Sequence, residues 1–433
     1  MLFLPLVANA FTGNVEIGDL KYSIVTKGKA AEVIGLASGK KPTEIVIPET
    51  IEYEGVTCNV ISIKDRAFYK KDFIASVTIQ EGVNSIGYGA FNECSALLNV
   101  TFPNGLLRID EYCFAECKKL NELILPSGLI EIGKHAFLNC NSLTKVFVPS
   151  SLKTIGEGAF SGCYVKSVYI EDLASWCKIS FYSITSNPLY YADNLFLNDK
   201  EITDLVIPQG VTSIYGNAFY GCQGLKSVTL SSSVEYVNGS AFYGCSGIKT
   251  IHLGKNLKNL YASAFEKCTE ITDVYSYADI VPGYYNAVFK DSYIEYATLH
   301  VPDDLVDSYK TSSGWKNFGT IIGFDSERMP QCAKPEIHLN EGVVSFTCDT
   351  EGVKFVPEIV YTDKSFNKIE NIHLASNYRI RVYATKDGYR DSEISTIEII
   401  QGYGQAIILG DVDSNGLVNI VDHVELTKII MNQ

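Results

Sequence analysis

A repeat of 23 residues constrains the fold of this chain more than any other feature of its sequence. Between residues 120 and 140, apolar or small side chains occupy Leu120, Leu123, Leu125, Leu129, Ile132, Ala136, Phe137 and Cys140. Twenty-three residues earlier, the same places hold Leu97, Val100, Phe102, Leu106, Ile109, Cys113, Phe114 and Cys117. A period of this length predicts a solenoid, in which each repeat forms one coil and buries its apolar side chains against the neighbouring coils.

Each repeat is expected to form two short strands followed by a helical turn that carries the Ala-Phe pair. The array is predicted to span residues 45–325, after an N-terminal β cap over residues 11–44 that covers the first coil. The repeat loses its phase after Val168 and regains it at Leu205, which indicates an insert. The aromatic residues of this insert either close the gap in the array or decorate a binding face: Trp176, Phe181, Tyr182, Tyr190 and Tyr191.

The pattern LxxLxLPxxLxxIxxxAFxxC resembles the repeats of the BspA-like leucine-rich repeat family of bacterial surface proteins. Leu120, Leu123 and Leu125 match the general leucine-rich spacing, whereas an Ala-Phe pair and a cysteine replace the usual asparagine row. The resemblance covers residues 45–325. It implies a secreted or cell-surface bacterial protein whose repeats take part in adhesion.

The chain has twelve cysteines, and seven of them stand three residues after the repeat phenylalanine: Cys94, Cys117, Cys140, Cys163, Cys222, Cys245 and Cys268. Residues at one fixed repeat position stack on their equivalents, so these seven are predicted to form a buried row of thiols. Cys332 and Cys348 flank a predicted hairpin instead. Their spacing is compatible with a disulfide and also with two separate thiols.

Composition and the N-terminal residues limit the possible partners and location. A net charge of -14 argues against nucleic acid as a partner. No apolar run is long enough to span a membrane. Residues 1–10, MLFLPLVANA, are interpreted as the remnant of a signal peptide that starts further upstream, with an apolar N-terminal strand as the alternative. We expect a secreted or outer-surface protein that is monomeric.

A small β domain is predicted after the array, over residues 330–402. Alternating side chains between turn residues indicate strands at residues 337–339, 343–347, 358–361, 378–385 and 394–400. The stretch YRIRVYATKDGYRDSEIST resembles the late strands of fibronectin type III modules. Such modules are commonly spacers, and the fold alone implies no activity.

One motif near the C-terminus specifies a ligand. Its oxygen donors have the spacing of a Ca²⁺-binding loop, with Gly416 at the sharp turn and the carbonyl of the seventh position as one ligand. The predicted ligands of a single calcium ion are Asp411, Asp413, Asn415, Leu417, Asn419 and Asp422. Because the loop leads directly into one predicted helix, residues 407–433 resemble half of a type I dockerin.

Strand side chains alternate, so one residue of each first strand points away from the core. Ile124, Phe147 and Tyr169 occupy this position on consecutive coils and predict an apolar, aromatic patch, and His252 and Tyr275 occupy it further along the array. Such a patch is typical of a partner site. β-Propensity or a covering insert is the alternative explanation. The expected partner is a host extracellular protein or a surface glycan.

The sequence therefore predicts a mainly β protein with three parts. They are a leucine-rich-repeat solenoid, a small fibronectin III-like β-sandwich and a calcium-loop tail. No HExxH, GxSxG or phosphate-loop motif is present, which argues against an enzyme. The favoured function is adhesion or binding at the cell surface. The alternative is an accessory component of a carbohydrate-degrading assembly, docked through the dockerin-like tail.

Overall fold

The computed structural model describes residues 12–192, 194–325, 334–340, 343–349, 354–361, 378–385, 392, 395–399 and 417–418. The chain begins there with an antiparallel cap, which consists of β1 (Thr12–Ile17), β2 (Leu20–Val25), a 3₁₀ turn (Thr26–Gly28) and β3 (Ala30–Leu36). β3 then pairs in parallel with a strand of the first coil. The cap thus closes the first coil of the solenoid by extending one of its sheets.

From β7 on, the first block of coils alternates longer and shorter strands. In chain order these are β4 (Glu44–Ile47), β5 (Thr50–Tyr53), β6 (Val56–Ile63), β7 (Ser76–Ile79), β8 (Ser85–Ile86), β9 (Asn99–Thr101), β10 (Arg108–Ile109), β11 (Glu122–Ile124), β12 (Glu131–Ile132), β13 (Lys145–Val148), β14 (Thr154–Ile155) and β15 (Ser167–Ile170). The insert follows, with α1 (Leu173–Trp176), β16 (Ser180–Phe181), 3₁₀ turns at Ile184–Ser186 and Pro188–Tyr190, β17 (Asn194–Leu197) and β18 (Lys200–Glu201).

The second block repeats the pattern and ends in a helical cap. Its strands are β19 (Asp204–Ile207), β20 (Ser213–Ile214), β21 (Ser227–Leu230), β22 (Tyr236–Val237), β23 (Thr250–Leu253), β24 (Asn259–Leu260), β25 (Asp273–Ser276), β26 (Gly283–Tyr284), β27 (Thr298–Pro302) and β28 (Thr320–Phe324). Between β26 and β28 lie 3₁₀ turns at Ile294–Tyr296, Asp303–Leu305 and Trp315–Asn317, and the helix α2 (Val306–Thr311). Tyr309 and Trp315 are fully buried and cover the last coil.

The first strands of successive coils pair in parallel, as in β11-β13-β15-β17 and β19-β21-β23-β25-β27-β28. The second strands form a separate parallel row, as in β6-β8-β10-β12-β14-β16 and β20-β22-β24-β26. Equivalent repeat positions lie opposite each other, so Leu123 faces Val146 and Ile132 faces Ile155. This register is the one that the repeat predicts.

Residues 133–140 and their equivalents form successive tight turns, whereas the sequence predicts a short helical turn here. In each such turn, the residues two before and two after the phenylalanine are left-handed. They are Arg66, Lys70, Gly89, Glu93, Tyr112, Glu116, His135, Asn139, Gly158, Gly162, Asn217, Gly221, Ser240, Gly244, Ser263, Lys267, Ala287 and Asp291. His135, Phe137 and Asn139 each donate their N–H to a carbonyl of the next coil, at 2.8 to 3.0 Å. We call this third ladder the turn row; its bonds between coils replace those of a helix.

Stacked phenylalanine rings fill the core behind the turn row. Neighbouring rings of this column lie 4.9 to 5.6 Å apart with planes within 12° of parallel. The buried members are Phe68, Phe91, Phe114, Phe137 and Phe160 in the first block, and Phe219, Phe242, Phe265 and Phe289 in the second. The insert separates the two columns.

The seven repeat cysteines are buried thiols, as predicted. The Sγ of Cys140 donates to the carbonyl of Phe114 at 3.2 Å, and Cys163 donates in the same way to Phe137. In the irregular last repeat a serine takes this position, and the hydroxyl of Ser292 donates to the carbonyl of Phe265 at 2.7 Å. The position therefore requires a small side chain that donates a hydrogen bond. Burial raises the pKa of the Cys140 thiol well above its usual value, which keeps the sulfur protonated.

Replacing Cys140 with serine is expected to preserve more stability than replacing it with alanine, because serine keeps a donor for the Phe114 carbonyl. One net hydrogen bond corresponds to a difference of about 0.5–1.5 kcal/mol in the free energy of unfolding. Urea denaturation of the full chain, followed by far-ultraviolet circular dichroism, compares the two variants. An alanine variant as stable as the serine variant would show that the donor is unimportant.

The described C-terminal strands are β29 (Glu336–Asn340), β30 (Val343–Thr347), β31 (Lys354–Tyr361), β32 (Tyr378–Thr385), β33 (Ser395–Ile399) and β34 (Leu417–Val418). They form two antiparallel sheets, β29-β30-β34 and β31-β32-β33. All five strands predicted for residues 330–402 are present, and β31 begins at Lys354 rather than at Glu358. Residues 1–10, Cys332 and the helix predicted after Asp422 lie outside the described residues. Within the described ranges, no helix has the length and apolar character needed to cross a bilayer.

Candidate functional site

The outward face of the first strands carries the predicted patch. Leu123 and Val146 point into the core, whereas Ile124 is 60% exposed and Phe147 is half-buried on the opposite side of the sheet. Parallel pairing places Phe147 between Ile124 and Tyr169 on adjacent strands. The structure therefore brings these three predicted residues together on one surface.

A fourth residue, Phe196 of the insert, extends this patch. Its strand β17 pairs with β15, so Phe196 lies opposite Tyr169. The ring centroids of Phe147 and Tyr169 are 4.4 Å apart, and those of Tyr169 and Phe196 are 4.7 Å apart, with planes 12° and 18° from parallel. We call Phe147, Tyr169 and Phe196 the first ring row. The sequence indicates the hairpin that holds Phe196 but does not indicate that β17 pairs with β15.

A second ring row consists of His252, Tyr275 and His300 on β23, β25 and β27. Its centroid distances are 4.8 and 4.1 Å, and both pairs are 7° from parallel. The outer imidazole of His300 lies 2.9 Å from a carboxylate oxygen of Asp273. The sequence predicts His252 and Tyr275 as neighbours on this face but does not predict the hydrogen bond between His300 and Asp273.

His252 differs from its expected role as an accessible contact, because only 6% of its surface is exposed. The ring of Tyr275 covers one side of the imidazole, and its Nδ1 lies 3.0 Å from the hydroxyl of Tyr277. Tyr277 follows Tyr275 by two residues and lies on the same face, because side chains two residues apart in an extended segment point in the same direction. The accessible part of the second ring row therefore consists of Tyr275 and His300, which are half-buried, as is the adjacent Tyr277.

Stacking decides which part of each ring faces the solvent. In each row the middle ring, Tyr169 or Tyr275, is covered on both faces, and each outer ring is covered on one face, so the ring edges form most of the outward surface. Ring edges carry partial positive charge, whereas ring faces carry partial negative charge. Each stacked pair also stabilises the fold by about 0.5–1.5 kcal/mol, so the rows support packing as well as recognition.

The insert packs mainly against the array. Trp176 is buried, and its indole N–H donates to the carbonyl of Ala218 at 2.9 Å. The amide of Asn187 donates to Asn217 and Ala218 in the first turn of the second block. Phe181 is also buried. These contacts support the packing interpretation for Trp176 and Phe181.

The tyrosines of the insert are more accessible than its other aromatic residues. Tyr182 and Tyr190 are exposed, and the Tyr191 hydroxyl accepts the Gly162 N–H at 3.2 Å. The insert thus joins the two blocks and leaves two tyrosines at the surface.

Of the predicted calcium ligands, Leu417 alone lies in the described part of the chain. It begins β34, which pairs with β30 so that Leu417 faces Ser345 and Val418 faces Val344. The other predicted ligands, Asp411, Asp413, Asn415, Asn419 and Asp422, lie outside that part. Within the described residues, no three His, Cys, Asp or Glu side chains are grouped to hold a metal.

The class of protein is a solenoid of leucine-rich repeats. Its marks are the parallel coils, the repeated Ala-Phe pair and the row of buried thiols. Six copies of the BspA type leucine-rich repeat region match residues 61–187 and 191–308, which together are more than half of the chain. The chain belongs to the BspA type leucine-rich repeat family. No curated protein matches it in sequence.

Several solved structures are similar to the chain. A leucine-rich cell surface protein from Faecalibacterium prausnitzii is 19% identical, over 73% of this chain and 96% of that protein, with a TM-score of 0.35. A leucine-rich repeat protein from Bacteroides capillosus is 27% identical, over 31% of this chain and 96% of that protein, with a TM-score of 0.28. The pneumococcal vaccine antigen PcpA is 15% identical, over 73% of this chain and 100% of that protein, with a TM-score of 0.35. Because these TM-scores are low, we transfer no function from them.

Proposed function

We propose that this chain is a secreted or cell-surface bacterial protein without enzymatic activity, and that it binds a host extracellular protein. The observation that carries the proposal is the outward face of the first strands. There, Ile124 and the first ring row form one continuous apolar surface. Membership in the BspA type family supports a location outside the cell. Buried thiols with raised pKa values suit an oxidising exterior, because the reactive thiolate is disfavoured.

Ring geometry favours a protein over a glycan as the partner of this face. A sugar that stacks on an aromatic side chain needs an accessible ring face, and Tyr169 at the centre of the first ring row has both faces covered by Phe147 and Phe196. Ile124 lies beside Phe147 on the adjacent strand and adds apolar area next to the ring edges, as in the core of a protein interface. The net charge of -14 further favours a partner with basic groups around its contact surface.

The double variant Phe147→Ser, Tyr169→Ser tests the proposal. We expect it to bind at least about tenfold more weakly than the wild-type chain to the protein recognised in a panel of immobilised extracellular matrix proteins. A tenfold loss corresponds to about 1.4 kcal/mol, the size of a modest interface hot spot. Surface plasmon resonance with the full chain measures both affinities.

A matched control is available in the turn row, outside the first strands. Tyr220 and Tyr243 are also half-buried, and their rings stack 4.7 Å apart at 12°. The variant Tyr220→Ser, Tyr243→Ser therefore loses a similar stacking contribution to stability while leaving the first ring row intact. Equal binding by the wild-type chain and the Phe147→Ser, Tyr169→Ser variant would refute the proposed face, and so would the absence of any binding protein in the panel.

We also propose that the loop from Asp411 to Asp422 binds one calcium ion and stabilises the C-terminal β domain. The support is the ligand spacing in the sequence and the pairing of β34 with β30 of the same chain. That pairing favours an intramolecular role over docking to a carbohydrate-degrading assembly.

Calorimetric titration of the full chain with calcium chloride tests this site. One ion per chain is expected, and Asp411→Ala with Asp413→Ala should weaken binding at least about tenfold because two charged ligands are lost. Asp349→Ala, an exposed carboxylate outside the loop, is the control. The absence of both a heat signal and a change in protease sensitivity at millimolar calcium would disprove the site.

A further inference from the structure

The turn row has an open end at the last coil. In the preceding coil, the left-handed residues Ser263 and Lys267 donate their N–H groups to carbonyls of the last coil, at 3.2 and 2.9 Å. The equivalent residues of the last coil are Ala287 and Asp291. In the part of the chain that the structure describes, neither of these two N–H groups has an acceptor. The end of the array therefore presents two aligned backbone donors.

At other places in the array where no regular coil follows a turn, hydroxyl oxygens accept the N–H groups of the equivalent residues. At the end of the first block, the N–H of Gly158 donates to the Ser183 hydroxyl at 3.0 Å, and the N–H of Gly162 donates to the Tyr191 hydroxyl at 3.2 Å. In the last coil, the Phe289 N–H donates to the hydroxyl of Tyr284 at 3.3 Å. Hydroxyl groups are thus suitable acceptors at the open end of this ladder.

A groove of about 820 Å³ lies at these donors, between the last turn and the C-terminal cap. Its volume is within the range of about 300–1,000 Å³ that is usual for small-molecule sites. Besides Ala287 and Asp291, its lining includes Tyr285, Asn286, Lys290, Glu295, Ser313 and Asn317. The amides and hydroxyl of this set both donate and accept hydrogen bonds, and the carboxylates accept them.

Tyr285 gives the groove an accessible aromatic surface. It is the last ring of a row with Tyr261, whose centroid lies 4.9 Å away at 19°. Among the described residues no further ring stacks on Tyr285, which is 48% exposed. Here the row ends, so no ring of the described residues covers the outer face of Tyr285, in contrast to Tyr169 and Tyr275, the middle rings of the two ring rows.

We propose that this groove binds a neutral saccharide. Sugar hydroxyls accept the N–H groups of Ala287 and Asp291 and donate to the Glu295 carboxylate, while the C–H face of the sugar ring packs on Tyr285. The carboxylates of Asp291 and Glu295 disfavour an anionic ligand, and the one lysine of the lining, Lys290, already pairs with Glu266 at 3.5 Å. This site is separate from the first ring row, so it goes beyond the proposed protein-binding function.

The test begins with the full chain on an array of neutral oligosaccharides, followed by calorimetry with the oligosaccharide that binds most tightly. Tyr285→Ala is expected to weaken this binding at least tenfold, because it removes the open ring face. Ser313→Trp fills the groove without removing a proposed contact and should weaken binding to a similar degree. Tyr296→Ala is the matched control, because Tyr296 is 85% exposed and is not part of the lining.

Three results would overturn the proposal. The first is that no neutral oligosaccharide binds at millimolar concentration. The second is that a saccharide binds, but its affinity is the same in the wild-type chain, Tyr285→Ala and Ser313→Trp. The third is that a peptide, instead of a sugar, occupies the groove. Circular dichroism of each variant confirms that a loss of binding is not a loss of folding. The double variant Phe147→Ser, Tyr169→Ser should keep its saccharide affinity. Failure of this inference and failure of the proposed function are thereby distinguishable.

Discussion

Replacing Phe137 with alanine is expected to lower the free energy of unfolding by about 3–5 kcal/mol, because the vacated volume leaves a cavity in the core. Phe137 is fully buried, and its ring stacks between Phe114 at 5.6 Å and Phe160 at 5.4 Å. Each coil contacts only its neighbours, so a cavity here weakens the interfaces with both adjacent coils. Urea denaturation of the full chain, followed by circular dichroism, measures the change.

The control for this variant is Ile124→Ala on the neighbouring first strand. Ile124 is an apolar side chain that is 60% exposed, so its truncation is expected to change stability by no more than about 0.5 kcal/mol. Equal stability losses in the two variants would contradict the assignment of the phenylalanine column as the core of the solenoid.

Replacing Gly133 with valine is expected to cost about 3 kcal/mol, at the upper end of the range for overpacking. A Cβ atom at Gly133 would lie 2.6 Å from the Glu111 nitrogen and 2.7 Å from the Asp110 carbonyl carbon of the preceding coil. These are backbone atoms of a hydrogen-bonded row, so they cannot move aside as the end of a flexible side chain can. The spacing between the two coils must therefore increase.

Gly105→Val is the matched control for this close approach. A Cβ atom at Gly105 would meet no atom nearer than a carboxylate oxygen of Glu81, at 3.7 Å. We expect a much smaller change in the melting temperature for this variant than for Gly133→Val. Equal melting temperatures for the Gly133→Val and Gly105→Val variants would show that the coils are not packed as closely as described.

The sequence predicts most of the array because one period determines several features together. Spacing of 23 residues places Leu123 opposite Val146 and Cys140 beside Cys163, and the structure confirms both the register and the thiol row. The left-handed positions also have a signal in the sequence, since Gly158 and Gly162 stand where other repeats have Asn139 or Asn217. Glycine and asparagine tolerate this backbone conformation best.

Features that depend on irregular spacing were not predictable in the same way. Phe196 follows Tyr169 by 27 residues, so the 23-residue period does not align it with the outward residues of the other first strands. The burial of His252 results from the ring of Tyr275 and the hydroxyl of Tyr277. The sequence gives the direction of such side chains but not how far they lean toward their neighbours.

The groove at the end of the array lies beyond sequence reasoning for another reason. It exists because the last coil has donors at Ala287 and Asp291 without a following coil, and because the cap returns near them through Ser313 and Asn317. The separation of these residues in the sequence follows no repeat. Their proximity depends on how the cap residues fold back over the last coil.

Hydroxyl-radical footprinting of the full chain, with and without the matrix protein that it binds most tightly in the panel, tests the proposed binding face most directly. Aromatic side chains are oxidised where they are accessible, so mass spectrometry reports each ring separately. The proposed interface predicts that bound partner slows oxidation of Phe147, Tyr169 and Phe196 and leaves that of Tyr182 and Tyr296 unchanged. Unchanged oxidation of all three rings in the bound chain would contradict the proposed face.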